Sequence, residues 1–375
     1  MDLDFSPEQE MLRDAVAGVC ARHCGLDVVR AMEDDPVGYS DAFWAQLGEL
    51  GLLGMLLPEQ YGGSEMSMLD GVVVYQELGR AIAPSPHFVS SVMGAGVLLR
   101  AGSAAQRDEL LGRIASGDEI VTTAWLEPDG GFGARGVRTT ATADGDGFRL
   151  DGVKWHVPFA SAATRLVVLA RTGDADDAVD LFLVDPDAPG VERSQQFTLA
   201  SETQYAVTLS GVRVAEAERI GAAGTGWATW NATLLEGIVF LAAQAIGGAR
   251  AALELTTQYA KDREQFDKPL GAFQAIAHYL ADASTRVEGG EILVHEAAAA
   301  LASGQSVEQL APMAKLFACA TYRDVTAMGE QVFGGVGFTL EYDIQLYFRR
   351  AKQQQLQWWD DRALEERVAT CVLDA

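Results

Sequence analysis

Basic residues are scarce in this chain of 375 residues. Lysine and arginine number 28 against 53 aspartates and glutamates, a formal charge of −25. A surface of that sign repels phosphate backbones, which argues against nucleic-acid binding and reads as a means of staying in solution. Cysteine is scarce too: Cys20, Cys24, Cys319 and Cys371 are too few for a disulfide framework at this length. Cys20, His23 and Cys24 can share a helix face, but no second ligand pair follows at a zinc-like spacing, so packed thiols are expected. Long apolar runs are missing. The longest, near 234–249, is interrupted by Glu236 and several glycines and is expected to be a buried helix rather than a membrane span. The opening Met1-Asp2-Leu3-Asp4-Phe5 has neither a basic flank nor an apolar core, so no signal peptide is expected and a cytoplasmic location follows. No Gly-x-x-x-x-Gly-Lys-Ser/Thr loop, strand-linked Gly-x-Gly-x-x-Gly, Gly-x-Ser-x-Gly elbow or metal cluster is present, which removes the common nucleotide, hydrolase and zinc readings.

What is present falls into three textures. From Ser6 to about Ser116 the spacing predicts helices joined by turns; Ser6-Pro7-Glu8-Gln9-Glu10 reads as an N-cap followed by proline and acids in a first turn. Pro58 to Gly63 reads as a loop, Met68 to Arg80 as a helix, and Pro84 and Pro86 as breaks. From about Glu119 to Ile220 the period changes to two. Val137–Ala143 alternates, Asp144-Gly145-Asp146-Gly147 is a hairpin turn, and Phe148–Lys154 returns. Leu166–Ala170, Leu181–Val184 and Val207–Val214 supply further strands of an antiparallel β-domain, and the glycines of 221–226 read as a hinge. From Gly226 onward Ala, Leu, Glu and Gln dominate at helical spacing, with breaks at Lys268-Pro269, Ser303-Gly304 and Gly334-Gly335. The expectation is an α+β, mostly α chain: a helical domain over 1–118, a middle β-barrel or sandwich over 119–222, and a C-terminal four-helix bundle over 223–375.

Four segments carry chemistry together. They are Leu57-Pro58-Glu59-Gln60-Tyr61-Gly62-Gly63; Leu126-Glu127-Pro128; Tyr259-Ala260-Lys261-Asp262-Arg263-Glu264-Gln265-Phe266 with Pro269 and Gln274; and Gln331-Val332-Phe333-Gly334-Gly335-Val336-Gly337-Phe338-Thr339-Leu340-Glu341. In this order, from about Phe5 to Lys352, the chain resembles the acyl-CoA dehydrogenases. The resemblance implies a dimer or pair of dimers, with FAD between the β-domain and C-terminal helices and its ADP half gripped by a neighbouring chain. Arg263 would meet the pyrophosphate beside Gln265 and Phe266, with Leu270, Phe273 and Gln274 following. Gln331, Val332, Gly334 and Gly335 would lie on the adenosine side, and Trp125, Leu126, His156 and Pro158 along the flavin. A guanidinium and close backbone donors suit a pyrophosphate.

The chain departs from the family's wording where the chemistry is done. The usual base lies about eight residues beyond the Arg-x-Ala-Lys segment; here Arg349-Arg350-Ala351-Lys352 is followed by Gln357-Trp358-Trp359-Asp360, and Trp358 holds the glutamate's position. An alternative position on the opening helix of the C-terminal region falls on Gly237, next to Glu236. One residue along a helix is about 100° of rotation. Glu236 is the candidate base, with Asp360 and Asp361 behind it. Leu126 replaces a threonine, Phe132 a serine, Pro158 the threonine of Lys-x-Trp-x-Thr, and Asp267 a glycine. The clamp offered to a neighbour is kept, while the parts used for the chain's own chemistry are eroded. That pattern resembles the non-catalytic chain of heteromeric dehydrogenases for bulky or steroid acyl-CoA esters. It implies α,β-dehydrogenation of an acyl-CoA, a homologous partner chain in a heterotetramer or else a homo-oligomer, and an electron-transfer flavoprotein as acceptor. A homomeric enzyme using Glu236, a flavin-dependent monooxygenase or oxidase with His156 near the flavin, and a purely structural FAD-clamping subunit are the other readings.

Overall fold

The computed structural model describes residues 5–373; the acidic opening over 1–4 lies outside them. Helices α1 (Pro7–His23), α2 (Leu26–Ala31), α3 (Asp41–Glu49), α4 (Met68–Arg80), α5 (Ala95–Ala101) and α6 (Ala104–Ser116) come first. Strands follow as β1 (Val121–Ala124), β2 (Thr140–Asp144), β3 (Gly147–Pro158), β4 (Arg165–Arg171), β5 (Val179–Val184), β6 (Val191–Gln196), β7 (Gln204–Ala215) and β8 (Arg219–Ile220). Helix α7 (Gly226–Asp262), a short hairpin of β9 (Glu264–Gln265) and β10 (Lys268–Pro269), and helices α8 (Gln274–Ala302), α9 (Leu310–Phe333), α10 (Ile344–Leu356) and α11 (Asp361–Leu373) complete the chain. This is the helix–β–helix order and the α+β class expected from the sequence.

Helix starts are written locally. Ser6, Ser67 and Ser103 each close a capping box with the residue three positions on, Gln9, Asp70 and Gln106. Each box satisfies two orphan donors and stabilises its helix by about 1 kcal/mol.

The chain clusters into two compact units. In the first, covering residues 5–29, 67–83 and 238–373, α1 packs on α4, α4 on α8, and α8, α10 and α11 on α9. Two glycines let α4 and α7 meet backbone to backbone: a Cβ on Gly247 would lie 1.9 Å from the Gln76 carbonyl oxygen, and one on Gly79 2.0 Å from that of Gln244. Tyr75 and Phe240 stack beside the crossing, with ring centroids 4.9 Å apart. Cys20 and Cys24 are buried in this unit, and burial pushes both thiols up, that of Cys24 to about 12. They are packed thiols.

The second unit, Arg30–Met66 and Pro84–Gly237, holds the sheet. Its strands run β6-β7-β3-β2-β4-β5-β8, with β1 beside β4. Leu150, Val157, Leu166, Val168, Phe182, Val207 and Leu209 fill its core. The β2–β3 hairpin turns at Gly145, whose φ of 69° suits a residue without a Cβ. Most neighbours are antiparallel, but β1 and β2 each pair with β4 in parallel, because they reach it through long connections rather than a hairpin. Strand β6, Val-Glu-Arg-Ser-Gln-Gln, was not foreseen. It is an edge strand bonded to β7 alone, and its polar side chains hide any period of two.

Helix α7 is the one described helix long and apolar enough to cross a membrane. Its most apolar 18-residue window is 78% buried inside the protein, so it is a core helix.

Candidate functional site

In the first unit, the residues expected to form a clamp lie at the end of α7 and at the turn after α9. Arg263 is tied through its backbone: its N–H donates to the Tyr259 carbonyl at 2.8 Å, and its carbonyl accepts from Leu270 N–H at 2.8 Å. Its guanidinium is exposed and meets no acidic partner among the described residues. The β9–β10 hairpin then turns on Phe266 and Asp267, both left-handed at φ 54° and 62°. A two-residue turn with both residues left-handed usually takes Asn-Gly. Phe266 is instead thrust outward, 86% exposed, with its ring edge-on to Phe273 and the centroids 6.2 Å apart. Lys268 Nζ lies 4.1 Å from the Phe273 ring centroid on the hairpin's return. Gln265 and Gln274 are exposed, and the Gln265 amide donates only to the neighbouring Glu264 carbonyl.

The second half of the clamp follows α9. Gly334 ends that helix at φ 66° and ψ −143°, a combination open to glycine. A Cβ on Gly334 or Gly335 would meet nothing within 4 Å, so a ligand can approach this backbone closely. Gln331 is exposed and Val332 buried. Tyr259 and Phe333 stack with centroids 4.0 Å apart and planes 15° apart, with Tyr342 edge-on to both, so the Arg263 segment and the Gly334 turn are joined. An unpaired guanidinium beside an open glycine backbone is a donor set that fits a pyrophosphate. Glu330, immediately before Gln331, was not anticipated. It is 4% exposed, neither carboxyl oxygen has a hydrogen-bond partner among the described residues, and burial raises its pKa. Its one signal in the sequence is an acid set between the buried positions Gly329 and Val332.

The expected flavin face lies in the second unit. The β3–β7 register slips between Lys154 and Val157, and His156 sits in that bulge at φ 53°. Bulges re-aim side chains and are common beside active sites. Here the bulge is bonded inward. Trp155 N–H donates to Leu126 O (2.9 Å), His156 N–H to Gln196 Oε1 (2.8 Å), and Phe159 N–H to Thr203 O (3.2 Å). His156 Nδ1 pairs with Gln204 Oε1 at 3.0 Å, and Thr122 Oγ1 donates to Pro158 O at 2.6 Å. Pro158 has no N–H to give. Trp125 is buried against Trp230 and Phe132, with centroids 5.2 and 5.9 Å away.

Next to this face, the buried Lys154 Nζ meets Glu127 Oε1 at 2.5 Å, and Glu127 also accepts from the backbone of Arg138 and Thr139. Burial lowers the lysine to about 8 against the pull of Glu127. Burial would raise the Glu127 carboxyl, but the ammonium and the hydrogen bonds prevail and hold it low. The pair is ionised and pins β3 to the segment after β1. Reading the two residues as parts of separate motifs missed it.

No free carboxylate stands at the positions expected for the base. Trp358 is 7% exposed in the turn before α11, Asp360 caps α11 through Ala363 N–H at 3.0 Å, and Asp361 accepts from Gln355 Nε2. In the second unit, half-exposed Glu236 is paired with Arg100 at 2.7 Å. A side chain on Gly237 would instead face Met93 Sδ and Phe88, at 3.1 and 3.4 Å. The two neighbours therefore look in different directions, as helical rotation requires.

Models of the acyl-CoA dehydrogenase N-terminal, middle and C-terminal domains match residues 6–118, 122–212 and 224–357. The chain belongs to the acyl-CoA dehydrogenase family. These are FAD-dependent oxidoreductases acting on the CH–CH bond of acyl-CoA thioesters. Benzylmalonyl-CoA dehydrogenase of Aromatoleum aromaticum is 32% identical over 361 residues, 93% of each chain. Acyl-CoA dehydrogenase IpdE2 of Mycolicibacterium smegmatis is 31% identical over 348 residues, 92% of this chain and 93% of the relative. Among solved structures, the ChsE4-ChsE5 complex from Mycobacterium tuberculosis superposes with a TM-score of 0.91 at 26% identity, covering 100% of both chains. The steroid ACAD Tcur3481-Tcur3483 does so with 0.87 at 32% identity, covering 98% of both.

Proposed function

We propose that this acyl-CoA dehydrogenase chain works as the base-less subunit of a mixed oligomer that dehydrogenates a bulky acyl-CoA ester. Its role is to clamp the ADP half of an FAD whose reacting ring is held by a homologous partner chain. FAD, when bound, supplies the hydride acceptor for α,β-dehydrogenation. The residues that would hold its pyrophosphate are Arg263 and Gln265, with Phe266, Leu270, Phe273 and Gln274 shaping the hairpin around them. Gln331, Val332, Gly334 and Gly335 would receive the adenosine side.

The observation that carries the reading is the contrast between the two candidate faces. Arg263 is unpaired and the Gly334-Gly335 backbone is open, so the clamp is ready for an anion. The edge of an isoalloxazine is rich in acceptors and needs donors. On the face formed by Trp125, Leu126, His156 and Pro158, the N–H groups of 155, 156 and 159 are already used and residue 158 has none. The main-chain donors of 155, 156 and 159 are therefore spent before a flavin ring could use them. With Trp358 buried and Glu236 paired to Arg100, no described residue at the expected positions is free to take a proton from carbon.

Domain limits of 1–118, 119–222 and 223–375, a heterotetramer with the homologous chain, an electron-transfer flavoprotein as acceptor and a cytoplasmic location complete the proposal. Its likeness to ChsE4-ChsE5 and to the steroid ACAD supports a paired assembly and a bulky acyl group. The test is dye-linked turnover of a panel of short, branched and steroid acyl-CoA esters, by this chain alone and mixed with a homologous catalytic chain. Turnover only in the mixture supports the proposal; turnover by this chain alone ends it.

A further inference from the structure

The turn holding Trp358 has an unusual backbone. Trp358 and Trp359 are consecutive and both left-handed, at φ 54° and 72°. That conformation costs a residue with a Cβ roughly 1–2 kcal/mol, and here it is adopted twice in succession by two buried tryptophans. Such strain persists only where the surroundings over-determine it.

The surroundings supply one feature able to do so. Lys315, in the first half of α9, is 1% exposed. Its Nζ donates to the carbonyl of Gln354 at 3.2 Å and to that of Trp359 at 2.9 Å. Gln354 belongs to the last turn of α10, where helix carbonyls lack an intrahelical partner. Cys319, one turn along α9, adds its Sγ to the same carbonyl at 3.6 Å. Arg367 of α11 closes the other side, with its guanidinium carbon 3.5 Å from the Trp359 ring centroid. A buried ammonium thus grips the chain before the two left-handed residues and again at the second of them.

We propose that Lys315 is the positioning residue of this turn. By holding the carbonyls of Gln354 and Trp359 it imposes the left-handed path at 358 and 359, and so fixes where the side chain of residue 358 stands. The backbone cradle is then independent of the side chain it carries and is kept although a tryptophan occupies it. The importance of position 358 for the reaction rests on the proposed function; the grip on the turn does not.

The test is a double-mutant cycle on the full chain. Glycine adopts φ above zero at no steric cost, so in the Trp358→Gly/Trp359→Gly chain the turn no longer needs to be forced. Lys315→Met loses the two hydrogen bonds in either chain, but only in the natural chain does it also release the strain that Lys315 imposes, so the melting temperature should fall further in the glycine chain than in the natural one. Equal losses, or a larger loss in the natural chain, overturn the proposal. If Lys315→Met folds in neither background, it falls. A second readout is fluorine NMR of 5-fluorotryptophan protein, with one resonance for each of the seven tryptophans. Lys315→Met should shift or broaden the Trp358 and Trp359 resonances and leave the other five in place. No change at those two, or equal change at all seven, contradicts a positioning role. Neither readout depends on flavin, so a failure here is distinct from a failure of the proposed function.

Discussion

Tyr259 and Phe333 lie face to face at 4.0 Å, and this stack joins two sequence positions that are 74 residues apart. Arg263 follows Tyr259 by one helical turn, and Gly334 follows Phe333 directly. The stack therefore sets the spacing between a guanidinium and an open glycine backbone. Replacing Tyr259 by Ala should weaken flavin retention in the mixed complex although Tyr259 itself offers no anion contact. Tyr259→Phe, which keeps the stack, should restore it. Flavin retention after gel filtration reads both.

Arg263→Ala tests the clamp itself. A hydrogen bond to a charged group is worth about 1.5–3 kcal/mol, so flavin affinity of the mixed complex should fall roughly ten- to a hundredfold. The melting temperature of the chain alone should not move, since the guanidinium meets no acidic partner among the described residues. A lower melting temperature with unchanged flavin affinity would make Arg263 a structural residue.

Glu236→Gln decides between bases. The carboxylate is half-exposed and paired with Arg100, so its loss should cost less than about 1 kcal/mol of stability. Turnover of the mixed complex should be unchanged. Abolished turnover with flavin still bound would return Glu236 to the catalytic role.

Glu330 should shape the pH dependence of stability. Its folded pKa is raised by burial above the ordinary value of 4.5. A raised carboxyl favours the folded state in acid, and this contribution is lost as pH climbs towards and through the folded value. Glu330→Met removes the orphaned polar atoms and the titration together. Urea unfolding should show the variant more stable than the natural chain, with the margin growing as pH rises from 5 to 8. At the upper end the gain should be about 1–3 kcal/mol, the cost of an unsatisfied buried polar group. A margin that does not change with pH would mean that Glu330 does not titrate in this range.

The Lys154–Glu127 pair predicts a different pattern. Lys154→Met leaves Glu127 buried without its partner, which should cost about 3–5 kcal/mol. Adding Glu127→Leu should recover most of that loss, because a desolvated pair is replaced by apolar side chains. Chemical denaturation of the single and double variants checks the coupling.

Much of the fold is legible where the physics is local. Ser6 with Pro7 and Gln9 announces a helix start, Asp144-Gly145-Asp146-Gly147 announces a hairpin, and the alternation of Val207–Val214 announces a strand. Strand β6 was illegible because an edge strand made of Glu, Arg, Ser and Gln needs no apolar face. The grouping of α1 and α4 with the C-terminal helices was illegible for another reason. It depends on backbone approach at Gly79 and Gly247, and a glycine in a helix does not name its neighbour. The residues proposed for the clamp were legible as a motif. What the motif could not convey is the state of the opposite face, where Gln196, Gln204, Thr122 and Leu126 take up the bulge's hydrogen-bonding groups. Those partners are 29 to 48 residues away, and only the folded sheet brings them together.

In the proposed role this chain holds a flavin for a partner rather than for itself. The measurement that tests it most directly is the visible absorption spectrum of the purified chain, quantified as FAD per polypeptide, alone and after assembly with a homologous catalytic chain. The expected result is a folded, nearly colourless chain that gains flavin only in the mixed complex and loses it again with Arg263→Ala. Near-stoichiometric FAD on the chain alone would contradict it, because the inward-bonded face around His156 would then be holding the ring after all.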